Sequence, residues 1–264
     1  VLITLLTDFG TADYFVGAMK GVILSINPEA RIVDITHEIP PQDIQAGAFT
    51  LHAVYQTFPA ATIHVVVVDP GVGSARRPVL VCGGSQFFVG PDNGLFSFIF
   101  EREREARVFH LTNENYFRQP VSRTFHGRDV FAPVAAALSK GVNAEQLGTE
   151  IKDYVRLDQL KPKQKDARSI QACVIHIDRF GNCVTNLTSA EISEEVIARG
   201  VCLTINGREI TSVHRFFAEG QQAAGELFAI WGSAGYLEIA AFHDSAAQLL
   251  NCHRGQTITV TSDE

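Results

Sequence analysis

Apolar positions in the first half of the chain alternate between two rhythms. Residues 2–6, Leu-Ile-Thr-Leu-Leu, form a short run that stops at Thr7-Asp8-Phe9-Gly10, as a buried strand stops in a loop. From Asp13 the spacing becomes helical, with Phe15, Met19, Val22, Ile23 and Ile26 on one side and Pro28 closing the segment. Residues 31–35 predict a second strand, and residues 42–57 a second helix stopped before Pro59. Residues 62–68 are β-branched and apolar apart from His64, and end abruptly at Asp69-Pro70-Gly71. Residues 79–82 and 86–89 read as a strand pair around Gly83-Gly84, and residues 130–138 as an apolar helix closed by Gly141. This order predicts an α/β domain whose mostly parallel central sheet is flanked by helices. In such sheets a ligand sits beyond the carboxyl ends of the strands, where Asp8 and Asp69 both stand.

The rhythm breaks at residues 157–168, which are polar, charged and aperiodic, and are read as a linker between residues 1–156 and 169–264. Beyond it come shorter strand-like runs at 170–177, 201–205, 210–213, 226–231, 236–242 and 257–261. Asn206-Gly207 between two of them is a hairpin signal. The second domain is expected to be smaller, all-β and barrel-like.

Composition narrows the possible partners. The 264 residues carry a net charge of −7 and no run of five basic residues, which argues against nucleic acid. No apolar run approaches the length of a membrane span, and no basic-then-apolar leader opens the chain. Five scattered cysteines without a Cys-x-x-Cys pair indicate neither a disulfide framework nor a zinc knuckle, so a cytoplasmic setting is expected.

Three constellations carry candidate chemistry. Asp69-Pro70-Gly71-Val72-Gly73-Ser74-Ala75-Arg76 is a glycine-rich turn after a buried strand, able to aim backbone N–H groups at one spot. It lacks the Lys-Ser/Thr of a phosphate loop and the third glycine of a dinucleotide fingerprint, and a plain tight turn capped by Asp69 explains the same residues. Phe125-His126-Gly127-Arg128-Asp129 opens a helix, where a histidine rests neutral and can accept a proton; a loop histidine beside a first-turn acid is the plainer account. Asp8, Asp13 and Asp178 close strands or follow them, and a strand-end carboxylate can chelate two ribose hydroxyls. His64 and His176 read as strand residues. His37 beside Asp34 and Glu38 is a weak metal set, and no metal is expected.

Taken in order, these segments resemble one family, the S-adenosylmethionine (SAM) hydroxide adenosyltransferases, relatives of fluorinating and chlorinating enzymes that use the same substrate. The resemblance rests on Thr7-Asp8-Phe9-Gly10 with Asp13, Val68-Asp69-Pro70-Gly71-Val72-Gly73 with Arg76, and Gly90-Pro91-Asp92-Asn93-Gly94. It continues through Phe125-His126-Gly127-Arg128-Asp129, Asp178 with Phe180-Gly181-Asn182, and Gly235-Tyr236-Leu237. It implies an α/β domain joined to a β-barrel, assembled as a homotrimer with the substrate between subunits. It also implies hydrolysis of SAM to adenosine and methionine, with Asp69, Arg76 and His126 as the catalytic set that hydrolytic members carry and halogenating members lack. Asp8 matches a ribose carboxylate, Asp13 and Asp178 groups near the methionine amino end, and Ser233 a contact of the methionine carboxylate. Phe180 and Asn182 match the adenine pocket, and Phe125 and Gly127 are counted with the substrate-binding residues. Gln42 stands where halogenating relatives have an aromatic residue, and Ala234 where the fluorinating enzyme has a basic one.

A sulfonium leaves as a neutral thioether, so neither a general acid nor a cofactor is expected. The demand falls on the nucleophile. Water and an ordinary histidine differ by about nine pKa units, roughly 12 kcal/mol, so hydroxide generated by His126 alone is not expected. Proton transfer to the Asp69–His126 pair during attack is the expected route, with a lowered water pKa as the alternative. A halogenase, a metallohydrolase of Asp8, Asp13, His37 and Asp69, and a non-catalytic adenosine sensor are the competing readings.

Overall fold

The computed structural model describes residues 1–157, 161–166, 168–219 and 223–262. The chain divides into two compact units, Val1–Leu157 and Asp158–Glu264.

In the first unit the strands are β1 (Leu2–Thr7), β2 (Arg31–Thr36), β3 (Ile63–Val67), β4 (Pro78–Gly83), β5 (Gln86–Pro91), β6 (Arg107–Leu111) and β7 (Gly148–Ile151). The helices are α1 (Phe15–Ile26), α2 (Ile44–Val54), α3 (Ser97–Arg102), α4 (Ala132–Ser139) and the short α5 (Ala144–Leu147). The sheet order is β2-β1-β3-β5-β4-β6-β7. This corrects the mostly parallel expectation: the sheet is mixed, with parallel ladders from β2 to β5 and antiparallel ladders from β5 to β7. The turn at Gly83-Gly84 reverses the chain into a β4–β5 hairpin, and the edge is then built onto β4.

The pleat sends alternate side chains to opposite faces. Ile3, Leu5, Ile63, Val65 and Val67 pack on one face with Met19 and Ile23 of α1 and Val134 and Leu138 of α4. On the other face Thr4, His64 and Phe88 meet the turn after α2, where the Tyr55 ring lies 5.5 Å from Phe88. His64 is thereby a core residue, bonded to Thr4 Oγ1 at 2.7 Å and Gln86 Oε1 at 3.1 Å. Asp43, not Gln42, caps α2 by accepting from Ala46 N, so the helix starts later than its apolar pattern suggests.

The second unit carries β8 (Lys163–Asp166), β9 (Ser169–Ile177), β10 (Cys183–Thr188), α6 (Glu194–Arg199), β11 (Val201–Ile205) and β12 (Arg208–Ile210). It continues with β13 (Val213–His214), β14 (Leu227–Trp231), β15 (Tyr236–Ala241), α7 (Ala246–Leu249) and β16 (Thr257–Ser262). These form a nine-stranded curled sheet, β12-β11-β16-β9-β10-β15-β14-β13, with β8 also on β9. The nine-residue β9 pairs with β16 along its first half and with β10 along its second. Two short helices make the unit β-rich rather than all-β. Part of the expected linker is strand: β8 pairs with β9, while residues 158–160 and 167 lie outside the described residues.

Candidate active site

Asp8 and Asp69 leave the carboxyl ends of β1 and β3, which are paired with Thr7 opposite Val67. The structure therefore brings the two acids together. Burial raises the Asp8 carboxyl, Gln42 N–H donating to Oδ2 at 2.7 Å opposes that, and the Asp69 charge adds to the rise. The Asp8 loop is tied further by Gly10 N–H donating to His37 O at 2.8 Å. His37 itself bonds Thr7 Oγ1 at 2.9 Å and stands 3.1 Å from Asp34 Oδ1. These two contacts brace the loop through His37; among the described residues no three His, Cys, Asp or Glu side chains gather as a metal set.

Asp69 is joined to Arg76 by Nε donating to both carboxylate oxygens at 2.9 Å and by Nη2 donating to Oδ2. Both side chains are nearly sealed, at 8% and 4% exposure for Arg76 and Asp69. Arg76 Nη2 also reaches His126 Nδ1 at 2.9 Å. The guanidinium lies over the Phe131 ring at 5.3 Å. The register between the two loops is set at Gly73, whose φ is 76° and where a Cβ would stand 2.1 Å from the Arg123 carbonyl oxygen. Only glycine lets these backbones approach so closely.

His126 immediately precedes a single π-helical turn, Gly127–Phe131, that runs into α4. Such turns recur at functional sites. Asp129 in this turn is fully buried; it accepts from Arg128 and from Ser122 N–H, which, with Arg118, hold its carboxyl below the usual range against the cost of burial. Burial first, then the Arg76 charge, lowers the His126 pKa, so the ring rests neutral. A guanidinium can only donate, so Nδ1 is the acceptor and the neutral ring carries its proton on Nε2. The array thus presents donors: His126 Nε2–H, and Arg76 Nη1, which is buried without a hydrogen-bond partner. Phe125 packs with Phe9 and Phe15 at 5.9 and 5.1 Å between ring centres. Asp13 stands exposed ahead of α1.

In the second unit Asp178, Phe180, Asn182 and Ser233 line one cavity of about 730 Å³, together with Trp231 and Glu238. Asp178 is spent within its own loop. Its Oδ1 accepts from Phe180 N and Asn182 N at 2.9 and 2.8 Å, and its Oδ2 from Asn182 Nδ2 at 2.9 Å. Glu238 and Trp231 were not among the sequence candidates. The signal available was one acid inside the apolar run Tyr-Leu-Glu-Ile-Ala-Ala.

Fold and site define a two-domain protein with a carboxylate–guanidinium–imidazole array at the strand ends of its α/β unit. The chain belongs to the SAM hydroxide adenosyltransferase family, whose N-terminal domain matches residues 3–148 and whose C-terminal domain matches residues 172–259. It is 39% identical over 258 residues to the (R)-S-adenosyl-L-methionine hydrolase of Methanocaldococcus jannaschii, covering 95% of this chain and 92% of that protein. Identity to a fluorinase of an Actinoplanes species is 26%, covering 98% and 97%. An uncharacterized conserved protein from Thermotoga maritima superposes with a TM-score of 0.90 at 34% identity, covering 98% of this chain and 99% of that one.

Proposed function

We propose that this protein hydrolyses SAM to adenosine and L-methionine, the oxygen of a water-derived nucleophile attacking the ribose C5′. The C5′–O bond forms as the C5′–S bond breaks, the electron pair goes to sulfur, and the proton of water is released to solvent. Relatives at 35–39% identity over most of both chains are named (R)-S-adenosyl-L-methionine hydrolases, which supports the R sulfonium epimer as the substrate here too.

The observation that carries the reading is the array of Asp69, Arg76 and His126, with its unpartnered buried Nη1. Asp69 fixes the guanidinium, and the guanidinium fixes the imidazole. Two N–H donors are then left to hold an anionic oxygen. Proton transfer onto His126 would require Nδ1 to give up Arg76, so the geometry supports capture of hydroxide over the concerted base expected from the sequence. Asp8 is assigned to the ribose hydroxyls, Asp13 to the methionine end, and Phe125 and Gly127 to the wall beside the reacting carbon. Phe180, Asn182 and Ser233 are assigned to adenine and the methionine carboxylate. No cofactor is needed, because the sulfonium supplies the leaving group.

A homotrimer with the substrate between subunits is proposed as well, and a cytoplasmic location. Exposure of Phe180, Phe216 and Phe217 at 78%, 54% and 51% supports self-association, since large exposed aromatics mark surfaces that become covered. Among the described residues no helix is long and apolar enough to cross a membrane.

The test is chromatography and mass analysis after incubation of each sulfonium epimer in ¹⁸O-water, with and without chloride. Adenosine labelled at the 5′ oxygen, with the R epimer consumed faster, is expected. Intact SAM or a 5′-halogenated product overturns the proposal. Light scattering on the same preparation is expected to read three times the 28.9 kDa chain mass, and a monomer removes the trimer.

A further inference from the structure

Two of the five free cysteines meet in the second unit, although they lie far apart in the sequence. Cys183 opens β10 and is sealed in the core with Ala246 and Leu250. Cys252 follows α7 and packs against the same cluster from its edge. One residue of α7 fixes their approach. Ala247 N–H donates to Gly181 O at 2.9 Å, and Ala247 O accepts from Cys252 N–H at 2.8 Å. Gly181 permits this docking, because a Cβ there would sit 2.1 Å from Ser245 Oγ. The two side chains complete the contact with a thiol–thiol hydrogen bond.

The pair is asymmetric. Cys183 is fully buried, whereas Cys252 is partly exposed and lines a polar cavity of about 570 Å³ with Asn206, Arg208, Asn251, His253 and Gln256. A small polar solute thus has a route to Cys252 and none to Cys183. The hydrogen bond from Cys183 holds the Cys252 thiol below its ordinary value, against the cost of burial. The same bond, and then burial, push the Cys183 thiol up. Burial alone acts on Cys173 and dominates at Cys82, raising the first and pushing the second up to about 11. The thiolate is the nucleophile, and it is oxidised where a reagent can reach it. Cys252 therefore has the character of the attacking sulfur, and Cys183 that of the sulfur that resolves it.

We propose that Cys183 and Cys252 form a redox clasp, resting as a dithiol and closing to a disulfide under a peroxide. The Cys252 sulfur attacks one peroxide oxygen, and the O–O bond breaks, leaving a sulfenic acid on Cys252 and releasing one water. The Cys183 sulfur then attacks the Cys252 sulfur. The S–O bond breaks, the Cys183 proton joins the departing hydroxide as a second water, and the S–S bond forms. Two thiols lose two electrons and two protons, and the peroxide gains them. A dithiol reductant reverses the change by exchange. The closed bridge ties the residue after α7 to the strand that leaves the Phe180–Asn182 loop, and it constrains the unfolded chain between residues 183 and 252. Oxidation therefore stabilises the second unit. Neither sulfur takes part in the hydrolysis proposed above.

The experiment takes the full-length protein, fully reduced, treats it with a slight excess of hydrogen peroxide, then blocks the remaining thiols and cuts with trypsin. Loss of two of the five thiols is expected, with tryptic peptides 180–199 and 216–254 joined at about 2 Da below their summed mass. The melting temperature read by the fluorescence of the single tryptophan, Trp231, is expected to rise by about 5 °C or more and to return with dithiothreitol. Cys252→Ser is expected to form no bridge and to gain no stability. Cys183→Ala, which lacks the resolving sulfur, is expected to carry Cys252 on to the sulfinic acid, about 32 Da heavier. In the reduced wild type, limiting iodoacetamide is expected to label Cys252 before the other cysteines. Wild-type protein that keeps all five thiols under peroxide, joins a different pair, or stops at an oxidised Cys252 without a bridge overturns the clasp. A bridge that leaves the melting temperature unchanged overturns its stabilising role.

Discussion

Arg76 does two jobs that a single substitution cannot separate. It neutralises Asp69, which is only 4% exposed, and it fixes the tautomer of His126 through Nδ1. Arg76→Ala would leave a buried carboxylate without its partner, a loss of about 3–5 kcal/mol, so falling activity in that variant reports unfolding as much as chemistry. His126 is cleaner, because it is half-buried and its removal leaves the Asp69–Arg76 pair intact. His126→Ala is expected to keep its urea midpoint within a few tenths molar of wild type and to lose about 10²- to 10³-fold in kcat, as for one oxyanion donor. The wild-type kcat at saturating substrate is expected to keep rising above pH 7, in step with hydroxide. The His126 pKa lies below its ordinary 6.5, so a general-base role would give a plateau there instead. A plateau, or an unchanged kcat in His126→Ala, would return the site to the base mechanism or remove His126 from it.

The elements that carry the array are ordinary; what is special is how two loops touch. Gly73 presses on the Arg123 carbonyl, and this contact carries the β3 loop against the segment that leads into the π-turn. Gly73→Ala is therefore expected to push the loops apart, leave far-UV circular dichroism unchanged, and cut kcat at least tenfold; wild-type turnover in a folded Gly73→Ala would show the register to be irrelevant. The ends of β1 and β3 were legible because a buried apolar run that stops at an aspartate reads the same in sequence and in space. The Gly83-Gly84 hairpin was legible for similar reasons. The antiparallel half of the sheet was not, because β6 is five residues with an exposed first position and a half-buried His110, and β7 only four. Neither is long enough to show a period. Asp178 is a candidate the sequence offers, but its three internal hydrogen bonds are not legible there: they depend on the turn at Gly181, whose φ is 85°. Glu238 was missed because one acid in a buried strand looks like an exposed position until its neighbours are known.

At the scale of the whole molecule, buried groups in the two units respond to acid in opposite senses. His64 in the first unit is sealed, at 0% exposure, and burial lowers its pKa to about 4 from 6.5. Between those values the unfolded chain takes up a proton that the native ring refuses, so stability falls as pH falls, by about 1.4 kcal/mol per unit for one group. His52 is displaced the same way. Glu238 in the second unit is displaced upward, from 4.5 to about 7. There the native state binds the proton more tightly than the unfolded chain, so its contribution is present at low pH and lost as pH rises through 7. The chain has a single tryptophan, Trp231, and it lies in the second unit, so its fluorescence follows that unit while far-UV circular dichroism follows both. Urea unfolding at pH 7 and pH 5 is expected to separate the two signals on acidification. The dichroism transition should move to lower urea and the tryptophan transition to higher urea, with Glu238→Gln abolishing the second shift and His64→Gln reducing the first. Coincident shifts in the same direction would show that the two units unfold as one body, and that neither buried group sets the acid limit of the fold.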